Sequence, residues 1–305
     1  MLRFAAKRLI GAIPTLFLIV TFSFFLMRIA PGGPFDRERI VPPEIEARLI
    51  HAYHLDDPLW RQYLRYLGDL VQGDFGPSLK YKDFTVTELI AEGFPVSMRL
   101  GGLAVLIALL VGVSTGTIAA LRQNSGTDYA AMGVAMTGII IPNFVMAPLL
   151  TLVFGLWLSW LPVGGWGGPI YMILPVIALS LYQIGFIARL TRGSMIEVLR
   201  TNYVRTARAK GLPERVAISR HALKAAMLPV VSYLGPAIIN TITGSVIIEQ
   251  IFGIPGIGRY FVQAALNRDY TLVMGVTVFY GVLIILANLA VDLIYGLLDP
   301  RIRYD

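Results

Sequence analysis

The chain contains no cysteine in its 305 residues. That excludes a disulfide framework, a thiolate nucleophile and any Cys-ligated metal or cluster. It is also short of charge, with 15% Asp, Glu, Lys and Arg where a soluble chain carries about a quarter. Only three histidines occur and no H-E-x-x-H, so an intramembrane metalloprotease is not expected. There is no G-x-x-x-x-G-K-[ST] phosphate loop, and ATP binding or hydrolysis by this chain is therefore not expected. No catalytic residue, metal ligand or cofactor is assigned to it. What fills the chain instead is apolar: 56% hydrophobic residues and a mean hydropathy of +0.67.

The apolar residues lie in runs long enough to cross a bilayer, which takes about 20 residues of helix. Leu9–Met27, Leu100–Leu121, Tyr129–Leu161, Tyr171–Ala188, Met227–Ile248 and Leu272–Leu298 are the candidates. Arg28 and Pro31 flank the small residue Ala30, a poor cleavage site, so the first run reads as an uncleaved anchor. The third run is overlong and interrupted by Pro142 and Pro148, fitting one kinked helix or two short passes. The stretch 189–224 arbitrates, because it carries nine Lys and Arg against Glu197 and Glu214 and positive loops stay in the cytoplasm. One crossing is expected, giving an all-α membrane protein of six transmembrane helices with cytoplasmic N- and C-termini. The pI near 9.7 then reflects topology in a lipid bilayer rather than nucleic-acid binding. The expected division is residues 1–31 as an N-terminal segment and first span, 32–99 as an extracytoplasmic cap, and 100–305 as a five-helix core.

In the outer segment Glu44–His54 has helical spacing, and Asp57 is expected to cap a helix that opens with Pro58. Trp60, Leu64, Leu67 and Val71 are expected to line its packed face. His51 and His54 share a spacing but lack a third ligand, so no metal site is assigned. Glycines 253, 256 and 258 follow a membrane helix and read as a tight turn rather than a phosphate cradle.

Polar residues inside spans are costly and mark either a pathway or interhelical contacts. Asn143, Asn240, Thr241, Gly244, Ser245, Thr277 and Asn288 are the candidates for pathway lining. Gly112 and Gly116 form a close-packing face in the second span. Asp292 is the acidic residue read inside a span. Were the chain a self-contained proton-coupled transporter, Asp292 would be its carrier, and the lack of other buried carboxylates argues against that class.

The basic loop 189–226 carries most information. Ser194–Lys210 reads as a helix continuing the fourth span and ending at Gly211, Leu212-Pro213 breaks it, and Glu214–Ala226 forms a second helix. The run Tyr203–Gly211 (YVRTARAKG), with His221–Lys224 and Leu228-Pro229, resembles the ATPase-coupling loop of permeases of binding-protein-dependent ABC importers. Arg205-Thr206-Ala207 stands where the generic pattern has Glu-Ala-Ala, which is similar to the peptide-importer branch. The resemblance spans the chain, from Ala30–Pro34, His54–Pro58, Gln62-Tyr63 and Gly73–Gly76 to Pro255–Gly258, Arg268–Tyr270 and Asp299–Arg303. Lys80–Asp83 and Gly164–Trp166 favour oligopeptide over dipeptide cargo, with nickel or peptide-conjugated cargo as further alternatives.

The resemblance implies a type I importer bundle in a bacterial inner membrane. It implies a second homologous permease subunit, two cytoplasmic ATPase subunits that bind ATP and Mg, an extracytoplasmic peptide-binding protein and a peptide substrate. It places Arg205, Thr206, Ala207, Arg208, Ala209, Lys210 and Gly211 against the ATPase.

Overall fold

A computed structural model describes residues 2–29, 50–51, 54–81 and 83–298. Most of the expected helix Glu44–His54, the motif Ala30–Pro34, Lys82 and the ending Asp299–Arg303 lie outside the described residues, as do the surroundings of Gly244 and the side chain of Asp292. Among the described residues the fold is all helical, with one isolated β-bridge between Pro77 and Thr85. Five helices are long and apolar enough to span a membrane, and a sixth span is completed if one sharply bent pair counts as a single crossing.

The contacts divide the chain into two compact units. One comprises Leu2–Val96 with Pro255–Leu286. Its helices are α1 (Leu2–Ile29), α2 (Leu59–Val71), the start of α3 (Val86–Leu121), α10 (Ile257–Asn267) and the first part of α11 (Tyr270–Leu298). The other comprises Ser97–Ile254 and the chain from Ala287. It holds the rest of α3 and α11 together with α4 (Gly126–Ile140), α5 (Asn143–Leu150), α6 (Pro169–Leu199), α7 (Asn202–Ala209) and α9 (Leu228–Phe252). Between α7 and α9 runs α8, residues 214–226, whose middle turn, Ala217–Ala222, widens to π-helical spacing.

The helix α3 starts well before the expected span at Leu100. A capping box sets its start: Glu88 N–H donates to Thr85 Oγ1 (3.2 Å), and Thr85 N–H donates to Glu88 Oε2 (2.8 Å). Two of the donors left over at a helix N-terminus are thereby satisfied reciprocally. The third apolar run breaks at Ile141-Pro142, where α4 and the helix Asn143–Trp157 meet at 108°. Pro142 has no N–H to continue the ladder. Each arm, at 1.5 Å per residue, falls short of the roughly 30 Å hydrocarbon core.

Within the first unit, α2 packs differently from the sequence expectation. Asp57 does not cap it. Its carboxylate accepts from Arg65 (2.7 Å) and its carbonyl from Gln62 Nε2 (2.7 Å), leaving Pro58 at the N-cap position. The Arg65 guanidinium holds the Asp57 carboxyl below its ordinary range. Trp60, Leu64 and Val71 are exposed, whereas Gln62 and Tyr66 are buried. The reason lies on α1: Tyr63 shares a hydrogen bond with Thr21 (2.7 Å), and the rings of Tyr63 and Tyr66 pack on Phe24. Those aromatic contacts rotate the helix away from its simplest apolar stripe.

Buried Asp269 organises the far end of this unit. It caps α11 through Leu272 N–H (3.1 Å) and accepts from the Ser78 hydroxyl and from the N–H groups of Leu79 and Lys80 (both 3.2 Å). One carboxylate thus ties the 78–80 turn to the entrance of the last span.

Candidate coupling segment

The segment with the clearest functional geometry is α7 and the turn behind it. Val204 and Ala207, one turn apart, are its buried residues. They sit on a small apolar seat of Ala120, Met195, Ala222 and Ala226. Asn202, Tyr203, Arg205, Thr206, Arg208, Ala209, Lys210 and Gly211 all face outward. A two-residue anchor therefore presents a basic face with little of the helix consumed by packing.

The end of α7 is a Schellman motif. Gly211 N–H donates to Arg208 O (2.9 Å) and Leu212 N–H to Ala207 O (3.3 Å). These bonds satisfy carbonyls that the last turn leaves open. Gly211 has φ +77° with open space around it, so the demand for glycine is conformational rather than steric. Pro213 follows and bars continuation. Across the turn Arg208 grips Glu214 with two bonds, Nε to Oε2 (3.1 Å) and Nη2 to Oε1 (2.6 Å). Arg208 thus braces the bracket, while Arg205 and Lys210 project from it.

One expected feature differs. The helix of the fourth span does not continue to Lys210 but ends at Leu199, and α7 begins at Asn202. Thr201 makes the break. Its backbone is extended and its hydroxyl donates to Val198 O (2.6 Å), offering the chain an alternative to the helical ladder.

Behind α7 the contacts lead into the membrane helices. Arg192 on α6 forms a bidentate pair with Asp128 at the start of α4, both bonds 2.7 Å. Arg200 reaches Gln123 in the α3–α4 turn (3.2 Å). Glycines bring the helix backbones together. A Cβ at Gly116 would lie 2.4 Å from Ala188 O, one at Gly138 2.2 Å from Leu181 O, and one at Gly185 2.4 Å from Ala135 O. The Gly112/Gly116 face thus packs α3 on α6, and Gly138 and Gly185 pack α4 on α6. Helix α6 is held from two sides and leads directly to α7.

The candidate pathway residues do not form one set. Thr241 and Ser245 are buried in α9, their hydroxyls donating to Ala237 O and Ile242 O (both 2.7 Å). Asn240 and Asn288 are exposed, while Asn143 and Thr277 are half-buried. Thr277 donates back to Val273 O (2.8 Å).

Sequence reasoning missed Gln183, buried on α6, which accepts from Tyr233 (2.7 Å) and donates to Ala237 O (3.3 Å). It also missed that Asp128, Asp269 and Glu249 are all buried. The expected lack of further buried carboxylates is therefore corrected, and it no longer counts against proton coupling. The spacing Ser125-x-x-Asp128, a capping-box pattern, was the available signal for Asp128; Ser125 does cap α4.

Comparison with known proteins gives a family. Residues 112–304 match the family described as "Binding-protein-dependent transport system inner membrane component", and residues 1–100 match its N-terminal companion. The oligopeptide transport system permease protein OppB of Salmonella typhimurium is 58% identical, with all of both chains covered. The dipeptide transport system permease protein DppB of Bacillus subtilis is 47% identical over 99% of this chain and 98% of that one. Among solved structures, an amino acid ABC transporter with histidines aligns with a TM-score of 0.54 at 20% identity. It covers 68% of this chain and 94% of that chain, which shows a common fold.

Proposed function

The chain belongs to the family of inner membrane components of binding-protein-dependent transport systems, and we propose that it is the permease subunit of an ATP-driven oligopeptide importer. It sits in the bacterial inner membrane as a multi-pass protein of the type I importer fold. Its partners are a second homologous permease, two cytoplasmic ATPases that bind ATP and Mg, and an extracytoplasmic peptide-binding protein. The observation that carries this reading is full-length identity of 58% to permeases named for oligopeptide transport. The outward basic face of α7 supplies the physical counterpart.

In this reading both termini are cytoplasmic, the bent pair α4–α5 crosses once, and residues 32–99 form an external cap. Arg205 and Lys210 meet the ATPase, while Thr206 and Ala209 share the contact surface. Closure of the ATPases displaces α7, and α6 carries the displacement through its glycine contacts and the Arg192–Asp128 pair to α3 and α4. Alternating access then requires only that ATP and loaded binding protein favour different states. Asn143, Asn240, Thr277 and Asn288 are the polar groups available to line the pathway.

Reconstitution tests the assignment. With its partners in proteoliposomes, the chain should support peptide uptake that requires ATP and the binding protein and persists when the proton gradient is collapsed. Uptake driven by a proton gradient without ATP would refute it. A dipeptide-selective variant of the reading is favoured by the 47% identical relative. Competition between dipeptides and longer peptides in the same assay decides between the two.

A further inference from the structure

Helix α2 turns an apolar stripe outward. Trp60, Leu64 and Val71 are 59%, 58% and 88% exposed, and at 3.6 residues per turn they fall within about 40° of one another on the helix. Arg61, Arg65 and Gln72, also exposed, share the next arc. Tyr63, Tyr66 and Leu70 lie on the other flank, toward α1. The stripe is thus bounded by polar residues on one side and by packed residues on the other.

Contiguous exposed apolar surface marks an interaction site, and its level in the fold identifies the occupant. Tyr63 shares a hydrogen bond with Thr21 (2.7 Å), and its ring packs on Phe24 and Phe25. Leu67 and Leu70 pack on a cluster of Val20, Phe24, Met274 and Val278. Those partners lie inside two helices long and apolar enough to cross a membrane, Ile10–Ile29 and Tyr270–Val291. Thr21 is seven residues short of Arg28, where the uncharged run of α1 ends, or about 10 Å at 1.5 Å per residue. Helix α2 is therefore held at membrane depth, not above it. Its 13 residues make it about 20 Å long, too short to cross a core of roughly 30 Å.

The outward face of α1 leads onto the stripe. Phe22, Leu26 and Ile29 are exposed. Phe25 is exposed too, and its ring lies 5.5 Å from that of Tyr63, joining the two helices' apolar surfaces. A stripe continuous with the open side of a membrane span meets what that span meets, which is lipid. The residue types agree. Tryptophan prefers the membrane–water interface, and the Arg61 guanidinium lies 5.1 Å from the Trp60 ring centroid, where a long side chain can carry its charge to the headgroups. Asp56, Asp57, Asp69 and Asp74 lie nearby in the chain, so apolar burial rather than attraction to anionic lipid is the driving force.

We infer that α2 is an interfacial helix that buries Trp60, Leu64 and Val71 in the phospholipid leaflet at which α1 ends. Part of the segment 32–99 is then embedded in the bilayer rather than standing above it. The inference goes beyond the importer reading: it rests on α1 spanning a membrane, and on nothing about cargo or ATPases.

The chain has no native cysteine, so single nitroxide labels report each position cleanly. They are attached to Trp60→Cys, Leu64→Cys and Val71→Cys, and to Gln72→Cys and Asp74→Cys as the polar controls, both exposed. The full chain is reconstituted in phosphatidylcholine vesicles, and the assembled importer is prepared in the same lipid. Collisions of each label with oxygen, which concentrates in lipid, are compared with collisions with a water-soluble nickel chelate. The ratio of oxygen to nickel collisions should exceed one at the three stripe positions and fall below one at the two controls, in both preparations. A ratio below one at all five positions would put the stripe in water and overturn the inference. Low collision with both reagents at Leu64→Cys in the assembled importer would make the stripe a contact with a partner subunit and overturn it equally. Neither reading needs ATP or peptide, so failure of the importer assignment leaves the result standing. Intact ATP-driven uptake with a water-exposed stripe refutes only this inference.

Discussion

Asp128 and Arg192 are 64 positions apart in sequence and meet as a bidentate pair with the carboxylate 1% exposed. Removing one partner leaves the other charged and poorly solvated, which costs about 3–5 kcal/mol when the pair is buried. Arg192 keeps some exposure, at 28%, so the lower end applies. Asp128→Asn should lower the midpoint of thermal unfolding in detergent, and the double change Asp128→Asn with Arg192→Met should recover part of the loss. Equal losses in the single and double variants would show that the pair is not coupled. Arg208 and Glu214 are a contrasting case, both exposed, where a pair contributes on the order of 0.5 kcal/mol. Arg208→Glu should disturb the local bracket rather than global stability, because it sets two carboxylates face to face across the turn. The swap Arg208→Glu with Glu214→Arg should restore ATPase binding, measured by co-purification. The sequence motif marked Arg208 as part of the coupling run, but its partner was not legible: Glu214 lies beyond the Gly-Leu-Pro break, and only the Schellman turn folds it back.

At the level of elements, the apolar runs were readable and their ends were not. The run from Leu100 was visible by hydropathy, yet α3 begins at Val86, because the Thr85–Glu88 box starts the helix ahead of it, in a stretch whose hydropathy is broken by Glu88, Glu92 and Arg99. The opposite error occurred at Thr201, where helical composition continued but a threonine hydroxyl ended the helix. For α2 the period was right, but of the expected face only Leu67 packs inward, since aromatic contacts with α1 outweighed the simplest stripe. The small-residue face Gly112/Gly116 was legible. Gly138 and Gly185 were not, because their significance depends on how α4 crosses α6. These glycines give an element-scale prediction. Gly185→Leu, with backbone 2.4 Å from the new Cβ, should separate α4 from α6 and abolish recovery of folded protein by gel filtration. Gly102→Ala, where nothing lies within 4 Å, should be recovered like the parent and gain slightly from helix propensity. Normal recovery of Gly185→Leu would mean that the α4–α6 approach is not required for the fold.

For the molecule as a whole, family membership and the helical architecture agree with what hydropathy and the coupling run indicated. Orientation has its own test by cysteine labelling in a chain that lacks native cysteine. Exposed positions Gln72 and Val163 should label from outside in intact cells, and exposed Asn202 and Ser219 only after permeabilisation. Ser78 is unsuitable for this purpose because it is buried against Asp269. Labelling of Asn202 from outside would place the basic segment on the wrong face and contradict the single crossing of α4–α5.

The central claim is that α7, fixed in shape by its glycine turn, transmits ATPase motion to α6. Gly211 sits at φ +77°, a conformation that costs about 1–2 kcal/mol for a residue with a β-carbon. Asn tolerates it better than other such residues. The decisive measurement is ATP-driven peptide uptake by proteoliposomes containing the assembled importer with Gly211→Val or Gly211→Asn. The account predicts that the valine variant inserts normally and loses uptake by roughly tenfold, the scale that such a cost can produce, while the asparagine variant retains most of it. Parental uptake by Gly211→Val in a correctly assembled complex would contradict the claim that the shape of this turn couples the ATPases to the membrane helices.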